Sequence, residues 1–109
     1  MPQIDAVVSW DAQAERPIVS KNPIVVPPGN GATVIKWTCD STVDNLEITG
    51  LDMGVFSPPM STDSGKSSTS TDRNQRPGSY PYQVSARQAG TGKVGKHDPR
   101  IENGGGEGN

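Results

Sequence analysis

Short segments of alternating apolar and polar residues, separated by glycine and proline, leave little room in this chain for a helix. The 109 residues include 13 Gly and 10 Pro, and proline cannot donate a hydrogen bond inside a helix or a sheet. Apolar residues recur at every second position in several segments, which is the period of a strand with one buried face. Helical spacing is almost absent, so the sequence predicts an all-β protein.

The clearest predicted strand lies at residues 32–41, where Ile35, Trp37 and Cys39 share one face. We expect that face to be buried, with Trp37 at its centre. Residues 17–31 carry four prolines, which is typical of an edge strand or an extended crossing. Further strand-like segments lie at 3–10, 45–56, 80–88 and 98–103. About seven short strands with Gly/Pro turns predict a small two-sheet antiparallel β-sandwich, with a barrel as the second choice.

Residues 57–79 form a polar block of Ser, Thr, Gly and Pro in which Met60 is the only hydrophobic residue. Because this block has no periodicity, we expect a long loop that is either flexible or functional. The tail at 104–109 is rich in glycine and is expected to be disordered. Residues 1–103 then form a single β-sandwich domain, as the length of the chain suggests.

Two stretches of the chain, at residues 32–40 and 78–103, resemble small bacterial β-sandwich proteins of cupredoxin-like or immunoglobulin-like topology. The first contains the tripeptide IKW, and the second contains GSYPYQV and DPRI. The resemblance implies that Trp37 lies on a core strand and that residues 78–84 open the penultimate strand. It implies that Asp98, Pro99 and Ile101 lead into the last strand. A shared fold implies no shared activity.

Copper-binding members of that architecture use two histidines, a cysteine near the C-terminal end and usually a methionine. This chain has a single histidine, His97, and its single cysteine, Cys39, lies more than half the chain before it. The resemblance therefore implies a metal-free relative, and we expect no cofactor. With one cysteine the chain can form no internal disulfide.

The residues that could carry chemistry each have a simpler structural interpretation. His97 with Asp98 could act as a general base, but neighbours on an extended chain point to opposite faces, so we expect a solvated bend. Cys39 could be a nucleophile, but its place on the Trp37 face predicts a buried, inert thiol. The acidic run of Asp40, Asp44, Glu47 and Asp52 lacks the spacing of a calcium loop; a weak divalent site is the alternative to solvated acids.

Nucleic acid and membrane are not expected partners. The net charge is −2 without a run of Lys or Arg, whereas nucleic-acid binding needs a concentrated basic patch. No apolar stretch approaches the ~20 residues that span a bilayer. No signal peptide is visible, so we expect a cytoplasmic protein; an exported form whose leader has been removed would have the same features.

The sequence favours a non-enzymatic module that acts through protein–protein contacts or self-association, because it offers proline-bearing edges and no catalytic constellation. The alternative is a small-ligand or carbohydrate-binding protein, or a hydrolase, in which the 57–79 loop covers His97. The candidate ligand-binding residues are then three aromatic residues and two basic ones. They are Trp10, Tyr80, Tyr82, Arg87 and His97.

Overall fold

The computed structural model describes residues 2–104, and these form an all-β structure of eleven strands. The strands are β1 (Gln3–Asp11), β2 (Arg16–Val19), β3 (Ile24–Val26), β4 (Thr33–Cys39), β5 (Val43–Thr49), β6 (Met60–Thr62), β7 (Ser67–Asp72), β8 (Gly78–Pro81), β9 (Gln83–Gln88), β10 (Val94–His97) and β11 (Arg100–Asn103). The helical elements of this part of the chain are two three-residue 3₁₀ turns, at Pro28–Asn30 and Asp63–Gly65. The prediction of an all-β fold is confirmed. The predicted disordered tail falls, from residue 105 on, outside the described residues.

The strands pair into three sheets. The five-stranded sheet has the order β2-β1-β4-β7-β6, and two three-stranded sheets have the orders β10-β9-β5 and β3-β11-β8. Two of the pairs, β1–β4 and β3–β11, are parallel. The architecture thus differs from the prediction of about seven strands in two antiparallel sheets. The difference arises because strands of three or four residues carry too few alternations to be recognised as separate elements.

The polar block at 57–79 contains strands β6 and β7, so the prediction of a loop is wrong for these parts of it. Strand β7 pairs with β4 along its whole length. Its inward side chains are Ser68, Ser70 and Asp72, all buried. The hydroxyl of Ser70 donates to the Ser57 carbonyl at 2.7 Å. Since the buried positions are polar, no alternation of hydrophobic residues marks this strand in the sequence.

The proline-rich segment at 17–31 forms edge strands, as predicted. Strand β2 is the outer strand of the five-stranded sheet, and β3 is the outer strand of the β3-β11-β8 sheet. Pro23 precedes β3 and Pro27 follows it. Proline is tolerated there because an outer strand needs partners on one side alone.

One hydrophobic cluster joins side chains from all three sheets. Ile35 and Trp37 are fully buried in it, as predicted, whereas Cys39 at the end of β4 is partly buried. The Trp37 indole Nε1 donates to the Tyr82 hydroxyl at 3.0 Å, which satisfies a polar atom deep in the cluster. Within residues 2–104, no helix is long and apolar enough to cross a membrane.

Candidate functional site

The five residues predicted to contact a ligand lie on different elements. Trp10 is partly buried near the end of β1, and Tyr80 is partly buried in β8. Tyr82 is 3% exposed in the core. His97 pairs with the buried Val84 and therefore shares its face of the β10-β9-β5 sheet. Arg87 has the opposite parity on β9, so the structure does not bring Arg87 and His97 together.

The side chains of Tyr80 and Tyr82 both form contacts with other residues of the fold. Burial raises the pKa of Tyr82 to about 12, and the hydrogen bond from Trp37 opposes part of this rise. The ring of Tyr80 packs edge-on against Phe56, with 5.7 Å between centroids. Its hydroxyl donates to the Arg76 carbonyl at 3.1 Å. Both rings therefore support the fold, and Tyr82 presents no open ring face on which a sugar could stack.

His97 is the last residue of β10, the strand that contacts β2. Partial burial lowers the pKa of its imidazole, the positive charge of Arg16 lowers it further, and Asp98 acts in the opposite direction. The Asp98 carboxylate accepts a hydrogen bond from Gln83 Nε2 at 3.3 Å. Among residues 2–104, no carboxylate is hydrogen-bonded to His97, so the general base suggested by the sequence has no orienting acid.

The strands of the 57–79 segment do not cover His97. Strands β6 and β7 lie at one side of the five-stranded sheet, whereas β2, the strand that β10 contacts, lies at the other. Three strand spacings of roughly 4.8 Å separate β7 from β2. Strands β6 and β7 therefore lie away from the strand of this sheet that β10 contacts.

The acidic run predicted from the sequence is dispersed. Asp44 pairs with Arg87 Nε at 3.0 Å, Asp40 accepts from the Thr42 hydroxyl, and Asp52 accepts from the Gly54 amide. In the described part of the chain, no three His, Cys, Asp or Glu side chains lie close enough to share a metal ion. Burial raises the pKa of the Cys39 thiol, with Lys66 opposing it, so the neutral thiol is favoured at neutral pH.

A groove on the outer face of the β3-β11-β8 sheet is the surface feature that sequence reasoning missed. It has a volume of about 340 Å³. Its lining includes Val25, Glu102 and Ser79, which are paired across the three strands, and the prolines Pro27 and Pro28. Val25 is 59% exposed although it lies in the middle of a strand. The signal in the sequence was the apolar triplet at 24–26 directly before two prolines.

No protein-family model matches the chain, and no curated protein is significantly similar to it in sequence.

Proposed function

We propose that this protein is a non-enzymatic module of β-sandwich type that acts through protein–protein contacts, and that it self-associates along strand β3. The observation that carries the proposal is the exposure of Val25 on an outer strand. Strand β3 consists of three apolar β-branched residues without a charge. Edge strands that stay unpaired are usually short, carry a charge or a proline, or are covered; β3 is short and flanked by prolines, but its side chains carry no charge. A bare apolar edge of this kind favours pairing with another chain.

The groove beside β3 adds surface to such a contact. Its lining includes two valines, two prolines and two glycines, and Glu102 is its one acidic residue. Two copies related by a two-fold axis perpendicular to the sheet would pair β3 with β3, and the two grooves would then lie side by side on one face of the joined sheet. Because the strand itself is uncharged, the two edges approach without like-charge repulsion.

The prolines on either side of β3 limit the strength of this contact. Neither Pro23 nor Pro27 can donate to an added strand, so the pairing spans about three residues. An interface of that length falls below the roughly 1,200 Å² of stable complexes. We therefore expect a weak dimer that forms at high micromolar to millimolar concentration.

A binding role is further supported by the contacts of the side chains that could have acted in catalysis, because these side chains are already bonded to other residues. Tyr82 is bonded in the core, Arg87 is paired with Asp44, and Asp98 is bonded to Gln83.

Sedimentation equilibrium between roughly 10 μM and 1 mM tests the proposal. The wild-type protein is expected to show a monomer–dimer equilibrium, and Val25→Lys should weaken it about tenfold or more, because a lysine on the edge opposes strand pairing. Val94→Lys is the matched control: Val94 is 63% exposed but lies on β10, outside the groove. A wild-type protein that stays monomeric at 1 mM, or equal weakening by the two variants, would contradict self-association along β3.

A further inference from the structure

A buried polar network lies where the ends of β7 and β11 meet. Asp72, the last residue of β7, is fully buried, and its Oδ1 accepts two hydrogen bonds. One comes from Asn103 Nδ2 at 2.9 Å, and the other from the backbone amide of Asn74 at 2.8 Å. Asn103 and Asn74 are 4% and 7% exposed. The network therefore holds three polar side chains away from water.

Each of these three side chains has an oxygen without a donor. Among residues 2–104, no hydrogen-bond donor reaches Asp72 Oδ2, Asn74 Oδ1 or Asn103 Oδ1. Turning the amides would not help, because their nitrogens already donate to oxygens. Asn74 Nδ2 bonds to the carbonyls of Pro27 and Gly31, and Asn103 Nδ2 also bonds to the Arg76 carbonyl. A buried acceptor left without a donor destabilises the folded state, so the set calls for a positively charged or donating occupant.

The charge of Asp72 has no counterpart in the described residues. The ion pairs found there join Arg87 to Asp44 and Lys93 to Glu15, and neither involves Asp72. Burial raises the pKa of the Asp72 carboxyl, against the hydrogen bonds from Asn103 and Asn74 that lower it. Buried carboxylates in proteins are normally paired with a cation or bound to a metal.

We propose that Asp72, Asn74 and Asn103 form a binding site for a hard divalent cation, with Ca²⁺ the best fit. All the free atoms are oxygens, and Ca²⁺ takes six to eight oxygen ligands from carboxylates, side-chain amides and backbone carbonyls. The carbonyls of Pro27, Gly31 and Arg76 accept from the two asparagine amide nitrogens and so hold these side chains in place beside Asp72. With one carboxylate, the affinity falls in the weak class, with Kd about 10⁻⁴–10⁻³ M.

Such an ion would join two sheets. Asp72 ends strand β7 of the five-stranded sheet and Asn74 follows it, whereas Asn103 ends the central strand of the β3-β11-β8 sheet. An ion that binds the folded chain alone shifts the unfolding equilibrium toward the folded state. We therefore expect an ion bound at this site to raise the thermal stability of the protein.

Thermal unfolding of the full chain, freed of metal by a chelator and dialysis, tests the site. We expect 10 mM Ca²⁺ to raise the Tm by roughly 5–10 °C at constant ionic strength, and Mg²⁺ to raise it less because Mg²⁺ gives up its water reluctantly. Isothermal titration calorimetry should give a stoichiometry of one. Asp72→Asn should lose the Ca²⁺ response, whereas Asp5→Asn, at an exposed acid of the five-stranded sheet, should retain it.

Asn103→Asp is a second variant that keeps the test decisive if Asp72→Asn does not fold. It adds a carboxylate to the site, so the Ca²⁺ affinity should rise about tenfold. The proposal is overturned by a wild-type Tm that does not respond to Ca²⁺, by equal responses of Asp72→Asn and the wild type, or by an Asn103→Asp affinity no higher than that of the wild type. A Tm that rises on acidification and ignores Ca²⁺ would show that a proton on Asp72 fills the role instead.

Discussion

Tyr80 and Tyr82 are two residues apart in the chain, but their hydroxyl groups lie in different surroundings. The Tyr82 hydroxyl is in the core and accepts from Trp37 Nε1, and the two rings lie 5.4 Å apart. The Tyr80 hydroxyl donates to the Arg76 carbonyl at the surface, where water can replace either group. The same functional group therefore contributes differently to stability at the two positions.

Tyr82→Phe should lower the free energy of unfolding by about 1–2 kcal/mol, because it leaves the Trp37 indole N–H buried without an acceptor. Urea denaturation followed by circular dichroism measures the loss. Tyr80→Phe is the control, and we expect it to cost less than about 0.5 kcal/mol. Equal losses in the two variants would show that the Trp37–Tyr82 hydrogen bond is not what distinguishes the two sites.

At the scale of elements, strand β10 packs tightly against β2 although the two belong to different sheets. A Cβ atom at Gly95 would lie 2.8 Å from Arg16 Cα and 3.0 Å from the Glu15 carbonyl oxygen. Glycine is therefore required by the closeness of the two backbones. The ion pair of Lys93 with Glu15 crosses the same seam at 2.8 Å, but both groups are exposed and contribute little.

Gly95→Ala should destabilise the protein by about 1–3 kcal/mol, because the new methyl group can be accommodated only if a backbone moves. The midpoint of urea unfolding gives the value. Gly29→Ala is the matched control, since no atom lies within 4 Å of the added methyl there, and we expect no loss of stability. If Gly95→Ala unfolds at the same urea concentration as Gly29→Ala, the backbones of β2 and β10 are far enough apart at Gly95 to accept a methyl group.

At the scale of the whole molecule, the three sheets share one hydrophobic cluster. The five-stranded sheet contributes Ile35 and Trp37, the β10-β9-β5 sheet contributes Val84, and the β3-β11-β8 sheet contributes Ile101. All four side chains are fully buried. Separating any one sheet would expose apolar surface on the others, so the sheets are expected to unfold together.

Unfolding in urea should therefore be a single cooperative transition. In Trp10→Phe, which retains Trp37 as the only tryptophan, the fluorescence of Trp37 and the far-UV circular dichroism should change with the same midpoint and the same slope. The wild-type protein provides the reference for any loss caused by the substitution. Two separated midpoints would mean that one sheet unfolds independently of the Trp37 core.

Much of the element-level structure could be predicted from the sequence. The period-two pattern placed Ile35 and Trp37 on a buried face, and the prolines of residues 17–31 marked two edge strands. Strand β7 could not be predicted, because its inward residues are Ser68, Ser70 and Asp72 and carry no hydrophobic signal.

The groove beside β3 and the polar network around Asp72 both depend on contacts between segments that are far apart in the sequence. The β3 groove exists because β3 and β8 flank β11, and the Asp72–Asn103 bond joins residues 31 positions apart. The apolar triplet at 24–26 before two prolines is a local signal of the groove, but neither of the two pairings can be recognised from neighbouring residues.

Alternation and proline act within a few residues, so the sequence was enough to predict an all-β chain, an edge strand or extended crossing at residues 17–31, and the buried face of β4. The tertiary structure alone decided which strands pair, that Arg87 and His97 lie on opposite faces, and that Asp72 is buried beside two asparagines. Those outcomes follow from contacts between distant segments. The backbone of any strand can pair with any other, so backbone hydrogen bonds do not select the partner. Complementary packing of the whole chain selects among the possible partners.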